Sequence, residues 1–134
     1  MSRYCLDTSA YSRFQFGESQ VRGLIDGAVW IGFPAIALGE LRAGFMQGRD
    51  RDRNDQVMAE FLANPVVEVL AVDDEVSLQY AEIVFELRRK GTPIPTNDIW
   101  IAATAARAGA IVLTYDDHFR AVTRVGSSVL EAER

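Results

Sequence analysis

The stretch Thr96-Asn97-Asp98-Ile99-Trp100-Ile101-Ala102-Ala103-Thr104-Ala105-Ala106-Arg107-Ala108-Gly109 runs straight into Ala110-Ile111-Val112-Leu113-Thr114-Tyr115-Asp116. Its first part is alanine-rich and stops at a glycine, the residue that most readily leaves a helix through a left-handed turn. Its second part is a short apolar run of the length of a buried strand. A helix from Thr96 to about Ala108 therefore feeds a strand from Ala110 to Thr114. Helix and strand abutting in this way are the signature of a parallel sheet with helical crossovers.

Outward from this point the same alternation recurs. Arg3 to Asp7 is short, apolar and bounded by Thr8-Ser9, and reads as a buried strand. Residues 8 to 26 read as helical but broken near Gly17, restarting at Glu18 and Ser19. Ala28 to Phe33 reads as a second strand stopped by Pro34, and a helix to about Gln47 follows. Gly48 and the charged run Arg49-Asp50-Arg51-Asp52-Arg53 read as a solvated turn. The next helix carries Val57, Phe61 and Leu62 and ends at Asn64-Pro65. Val66 to Val72 is a third strand. Asp73 is placed to cap a long helix to Lys90, with Val76, Tyr80, Ile83, Val84 and Leu87 on one stripe. Arg88-Arg89-Lys90 before Gly91 suits a helix C-terminus. A weaker last strand lies near Val122 to Val125 or Ser128 to Leu130. The expected class is α/β, a parallel sheet covered on both faces.

At 134 residues the chain fits a single domain spanning 1–134, with no repeat or linker to divide it. Apolar residues make up 49% and charged residues 25%, which excludes disordered and collagen-like classes. The single cysteine, Cys5, cannot form an internal disulfide and reads as a small core residue. Arg3 and Asp7 bracket the first apolar segment, which therefore does not read as a secretory leader. No apolar run approaches the ~20 residues that span a bilayer. A cytoplasmic location is expected. The net charge of −5 argues against nonspecific duplex binding but not against a nuclease, because metal ions supply local positive charge.

Four acidic residues sit where a folded domain least easily places them. Asp7 ends the first apolar run, and Glu40 interrupts Ala35-Ile36-Ala37-Leu38-Gly39-Glu40-Leu41. Asp98 opens the alanine-rich helix, and Asp116 follows the strand after it. In an open parallel sheet, ligands bind beyond the carboxyl ends of the strands, where Asp7 and Asp116 are expected. Two ionised carboxylates ~5 Å apart repel by roughly 3 kcal/mol at an effective dielectric near 20. A shared cation removes that repulsion, and oxygen donors of this kind suit Mg²⁺ or Mn²⁺. The chemistry suggested is phosphodiester hydrolysis. Taken singly, Asp7 could cap the next helix, Asp98 could serve the helix dipole, and Asp116 and Asp117 could be turn residues. Glu40 could instead pair with Arg42 or Arg13.

These fragments resemble the PIN-domain ribonucleases, and within them the VapC-type toxins of bacterial toxin–antitoxin pairs. The resemblance rests on Leu6-Asp7-Thr8-Ser9, on Gly39-Glu40-Leu41, on Pro95 through Ala103, and on Leu113-Thr114-Tyr115-Asp116-Asp117-His118-Phe119. It covers nearly the whole chain. It implies an α/β/α sandwich with a five-stranded parallel sheet, and a site of Asp7, Glu40, Asp98 and Asp116. It implies Mg²⁺ or Mn²⁺, with Asp7, Asp98 and Asp116 as ligands and Glu40 positioning water. Thr8 or Ser9 matches the hydroxyl that orients the first aspartate, and Asn97 matches the polar position beside the third acid. The family pattern selects Asp116 over its neighbour Asp117. The resemblance further implies RNA cleavage, a homodimer and inhibition by a cognate VapB-like antitoxin, with operator DNA reached only through that antitoxin. A non-catalytic PIN-fold binding module is the alternative, and a phosphoryl-accepting receiver domain a third reading.

His118, the only histidine, is expected to pack or hydrogen-bond locally, which leaves no tetrahedral zinc site. Arginines 42, 49, 51 and 53, with Arg88, Arg89 and Lys90, read mainly as solvated charges, some of which could hold RNA phosphates. Phe14 and Phe16 straddle the helix break, so one of them is placed to stay exposed and receive an apolar antitoxin segment.

Overall fold

The computed structural model describes residues 2–133. Its strands are β1 (Arg3–Leu6), β2 (Trp30–Pro34), β3 (Val67–Leu70), β4 (Ile111–Thr114) and β5 (Ser127–Val129). All pair in parallel, in the order β3-β2-β1-β4-β5. The helices are α1 (Thr8–Phe16), α2 (Ser19–Asp26), α3 (Ala35–Gln47), α4 (Arg51–Leu62), α5 (Asp74–Lys90) and α6 (Thr96–Ala108). A short 3-10 turn, Asp117–Ala121, lies between β4 and β5.

The chain winds outward from β1 through β2 to β3, then returns to the other side of β1 for β4 and β5. Right-handed crossovers put α1 to α4 on one face and α5 and α6 on the other, giving the expected α/β/α sandwich. The winding reverses between β1 and β4. That is the topological switch point, where open α/β sheets leave a crevice at the strands' carboxyl ends.

Being central, β1 and β4 are apolar: Cys5, Leu6, Val112 and Leu113 are fully buried, as is Phe33 on β2. On the α1–α4 face, Tyr11 packs against Phe33 and Phe61, with ring centroids 5.5 and 5.3 Å apart. Each buried ring of this kind contributes roughly 1.5–3 kcal/mol through apolar burial. On the other face, Trp100 stacks on Tyr80 with centroids 3.8 Å apart, which fixes the start of α6 against α5. Gly109, at φ 65°, turns α6 into β4 in a conformation that residues with a Cβ rarely adopt. Gly32 is required for another reason: a Cβ there would lie 2.4 Å from the Trp30 ring.

Several expectations shift in detail. β2 starts at Trp30 instead of Ala28, because Ala28 N–H still bonds back to Ile25 in the turn that leaves α2. Pro34 closes β2 in register with Leu70 and then caps α3, a strand-end position where its missing N–H breaks no interior ladder. The charged run is not all turn. Arg51, Asp52 and Arg53 form the first turn of α4, where Arg51 and Asp55 stand one helical turn apart at 3.7 Å. β3 is shorter than Val66 to Val72, and the last strand falls at Ser127–Val129, near the second of the two expected places. Asp73 caps α5, accepting from Val76 N–H at 2.9 Å.

Candidate functional site

Asp7 follows directly on β1 and caps α1, and it is almost fully buried at 3% exposure. Oδ1 accepts from Ala10 N–H at 2.9 Å and from the Ser9 hydroxyl at 2.8 Å. Oδ2 accepts from the Thr114 hydroxyl at 2.6 Å. Both hydroxyls also accept in turn. Ser9 Oγ takes Tyr115 N–H and Thr114 Oγ1 takes Asp116 N–H, each at 2.9 Å. The end of β1 is thus clipped to the end of β4 through two hydroxyl relays. Three distinct donors fill three of the carboxylate's four acceptor directions, leaving one. Thr8 makes no hydrogen bond to Asp7, so Ser9 is the orienting hydroxyl of the two expected candidates. Thr114 was legible only as part of a motif, and its bond to Asp7 spans 107 residues of sequence.

Asp98 sits in the first turn of α6, where the N-terminal dipole favours a carboxylate. Its side chain is 16% exposed. Asp116 caps the 3-10 turn, its Oδ1 accepting from His118 N–H at 2.9 Å. That turn swings the imidazole over both acids. His118 Nδ1 lies 3.0 Å from Asp98 Oδ2 and 3.0 Å from Asp116 Oδ1. The histidine expected to bond locally therefore joins the acidic group, a role its position beside Phe119 did not announce. Glu40, on α3, is exposed although it interrupts an apolar run. Its Oε2 accepts from Asn97 Nδ2 at 3.2 Å, which ties α3 to the start of α6. Neither arginine pairs with it, and Arg13 instead contacts Glu18 at 3.2 Å. Asp117 points outward and pairs with Arg120 at 2.9 Å, away from the group.

The proton affinities follow from this geometry. Burial raises the Asp7 carboxyl above its ordinary value despite its hydrogen bonds, and the Asp98 charge raises it further. Burial is also the main cause holding Asp98 up. The His118 contact opposes it, and Asp116 and Glu40 add to it. The hydrogen bond to Asp98 holds the His118 imidazolium above its usual value.

The donors fit a hard or borderline divalent ion. One oxygen each from Asp98 and Asp116 and one nitrogen from His118 lie within 4.8 Å of one another. Asp7 lies outside that triangle, adjoining it through its charge on Asp98. Elsewhere, Glu18, Asp55, Glu75, Asp117, Glu82 and Glu86 each pair with an arginine. Among the described residues, Asp7, Glu40, Asp98 and Asp116 pair with no arginine or lysine. Acids without an arginine or lysine partner at the switch point are what a cation site requires.

The chain is similar to known proteins over most of its length. Residues 4–125 match the family model of the PIN domain. The chain is 32% identical to ribonuclease VapC5 of Mycobacterium tuberculosis over 122 residues, covering 91% of this chain and 89% of that protein. It superposes on a crystal structure of VapBC-5 from M. tuberculosis, a member of the VapBC family of toxin–antitoxin systems. The TM-score is 0.73 at 29% identity, over 98% of this chain and all of that one (100%). A crystal structure of DNA-bound VapBC from Salmonella typhimurium gives a TM-score of 0.84 at 26% identity, covering 96% of this chain and 98% of that one.

Proposed function

Because the chain belongs to the PIN-domain family, among its VapC ribonucleases, we propose that it is a metal-dependent endoribonuclease toxin held in check by a VapB-like antitoxin. The observation that carries the reading is the cluster at the β1–β4 switch point, where Asp98 and Asp116 meet at His118 with Asp7 and Glu40 beside them, none of the four acids paired with an arginine or lysine among the described residues.

Asp98 and Asp116 are the residues placed to hold Mg²⁺ or Mn²⁺, and Asp7 adds the one acceptor direction its hydroxyl clamp leaves free. When bound, such an ion supplies a water of lowered pKa and a clamp on a phosphate oxygen. Ser9 and Thr114 hold the Asp7 carboxylate in one orientation, so that it is already arranged when RNA arrives. Glu40 is held by Asn97 through one oxygen, which leaves Oε1 to accept a proton from the attacking water. Asn97 is therefore a positioning residue for Glu40.

Incubating the purified chain with RNA and Mg²⁺ or Mn²⁺ should give cleavage that a chelator abolishes. Cleavage that persists in chelator, or that survives Asp98→Asn, overturns the assignment. No cleavage under any metal condition returns the chain to the reading of a binding module.

The antitoxin proposal rests on the α1–α3–α4 side. Phe16 is 82% exposed there, beside a groove lined by Tyr11, Gln15, Phe45 and Val57. Phe14 packs instead against Phe61, so Phe16 is the member of the pair left to receive an apolar segment. A homodimer remains part of the proposal, as does contact with operator DNA only through the antitoxin. No described helix is long and apolar enough to cross a membrane.

A further inference from the structure

We propose that His118 Nδ1 is itself a metal ligand, and that it biases the site toward first-row transition ions and away from Mg²⁺. The inference rests on the metal-dependent reading above and assigns a role that the acids alone would not predict.

Geometry carries it first. Nδ1 stands 3.0 Å from Asp98 Oδ2 and 3.0 Å from Asp116 Oδ1. Two ligands at right angles on an ion with bonds near 2.1 Å are about 3.0 Å apart, so the nitrogen already has the spacing of a ligand beside each oxygen. Hydrogen bonding supports the same point. A ring nitrogen has at most one hydrogen, and here it touches two carboxylate oxygens. The contact with Asp98 has hydrogen-bond geometry, whereas Asp116 Oδ1 already accepts the His118 backbone N–H at 2.9 Å. All three atoms lie within 4.8 Å of one another, close enough for a single ion to serve them together.

The mounting is rigid as well. Asp116 caps the 3-10 turn that carries the imidazole, and the next side chain, Phe119, is fully buried. The ring is therefore presented by an anchored turn and not by a free loop. Imidazole nitrogen is a good ligand for transition ions, and affinities rise from Mn²⁺ toward Co²⁺ and beyond. Mg²⁺, which demands oxygen and keeps its waters, gains least from it.

The test is pulsed electron paramagnetic resonance on the purified full chain loaded with Mn²⁺, with calorimetric titration of Mg²⁺, Mn²⁺ and Co²⁺. Nitrogen modulation is expected in the wild type and should vanish in His118→Gln. Because the ring is half exposed, that variant should fold, and the wild-type spectrum stands without it. Mn²⁺ and Co²⁺ affinities should fall roughly ten- to a hundredfold in the variant, with a much smaller change for Mg²⁺. Mn²⁺ binding without nitrogen modulation overturns the His118 assignment. Equal losses for all three ions do the same. If binding is lost in Asp98→Asn yet shows no nitrogen signal, His118 alone is wrong and the metal site stands. If no ion binds at all, both readings fall.

Discussion

Asp7 and Asp98 are both carboxyls whose proton affinity burial has raised, and the protein holds them in opposite ways. Asp7 is enclosed by three protein donors, two of which, the Ser9 and Thr114 hydroxyls, also stitch β1 to β4. Asp98 has one protein partner, the His118 ring, and faces the crevice beside Asp116 and the Asn97–Glu40 pair. The first carboxylate is part of the fold's framework and the second is left available. A metal site needs both kinds: one group that fixes the geometry, and others whose charge the protein has not already neutralised.

Asparagine substitutions break that comparison most sharply. Asp98→Asn should lower RNA cleavage by at least about a hundredfold while leaving the metal-free urea midpoint unchanged or raised, since it removes a charge that its surroundings disfavour. Asp7→Asn should lose cleavage too, but it turns an amide donor toward Ser9, Ala10 or Thr114. That leaves buried donors unpaired and should lower stability by about 1–3 kcal/mol. Equal stability for the two variants would show that the two acids are held alike after all.

Thr114→Val tests the clamp without touching a carboxylate. The hydroxyl both donates to Asp7 and accepts from Asp116 N–H, so its loss should destabilise by about 1–3 kcal/mol and reduce cleavage together. Thr114→Ser, which keeps the hydroxyl, should restore cleavage and most of the stability. A valine variant with full activity would dismiss the relay.

A weaker effect should appear in the pH dependence of the metal-free protein. The raised carboxyls of Asp7 and Asp98 hold protons more tightly folded than unfolded, so stability is greatest when they are protonated. It then falls as pH rises above the ordinary carboxylate range. His118, also raised, adds stability that is complete below its unfolded value near 6.5 and is lost as pH climbs through its folded value. The signs agree, so thermal midpoints in chelator should drop from acidic to mildly basic pH. Saturating Mn²⁺ should narrow that drop, since an ion at a hundred times its dissociation constant adds about 2.7 kcal/mol. A metal-free midpoint that rises over this range would contradict the picture.

The sequence disclosed features that depend on near neighbours. The helix break at Gly17, the Asp73 cap and the exits at Gly91 and Gly109 are all local, and all are where turn and cap chemistry put them. The site is legible only in part. The acids were readable as motifs, whereas the hydroxyl relays join residues more than a hundred positions apart. His118 meets Asp98 across 20 residues, through a turn whose direction no periodicity encodes. The exposure of Glu40 was not legible from its apolar surroundings, because its neighbours Ala37, Leu38 and Leu41 turn inward on α3 while it faces out.

The smallest effect belongs to the doubled aspartate. Asp117 is 83% exposed and bonded to Arg120, an ion pair of the solvent-exposed kind that contributes at most about 1 kcal/mol. Asp117→Ala should therefore leave cleavage intact and shift the urea midpoint by little. Asp116→Ala should abolish cleavage while removing the cap that aims the His118 ring. The pair of variants isolates one step along the chain: adjacent residues of identical chemistry, one turned into the crevice and one turned out of it. If Asp117→Ala were the inactive member, the 3-10 turn would have to sit one residue out of its present register. Phe119 could not then remain buried behind it.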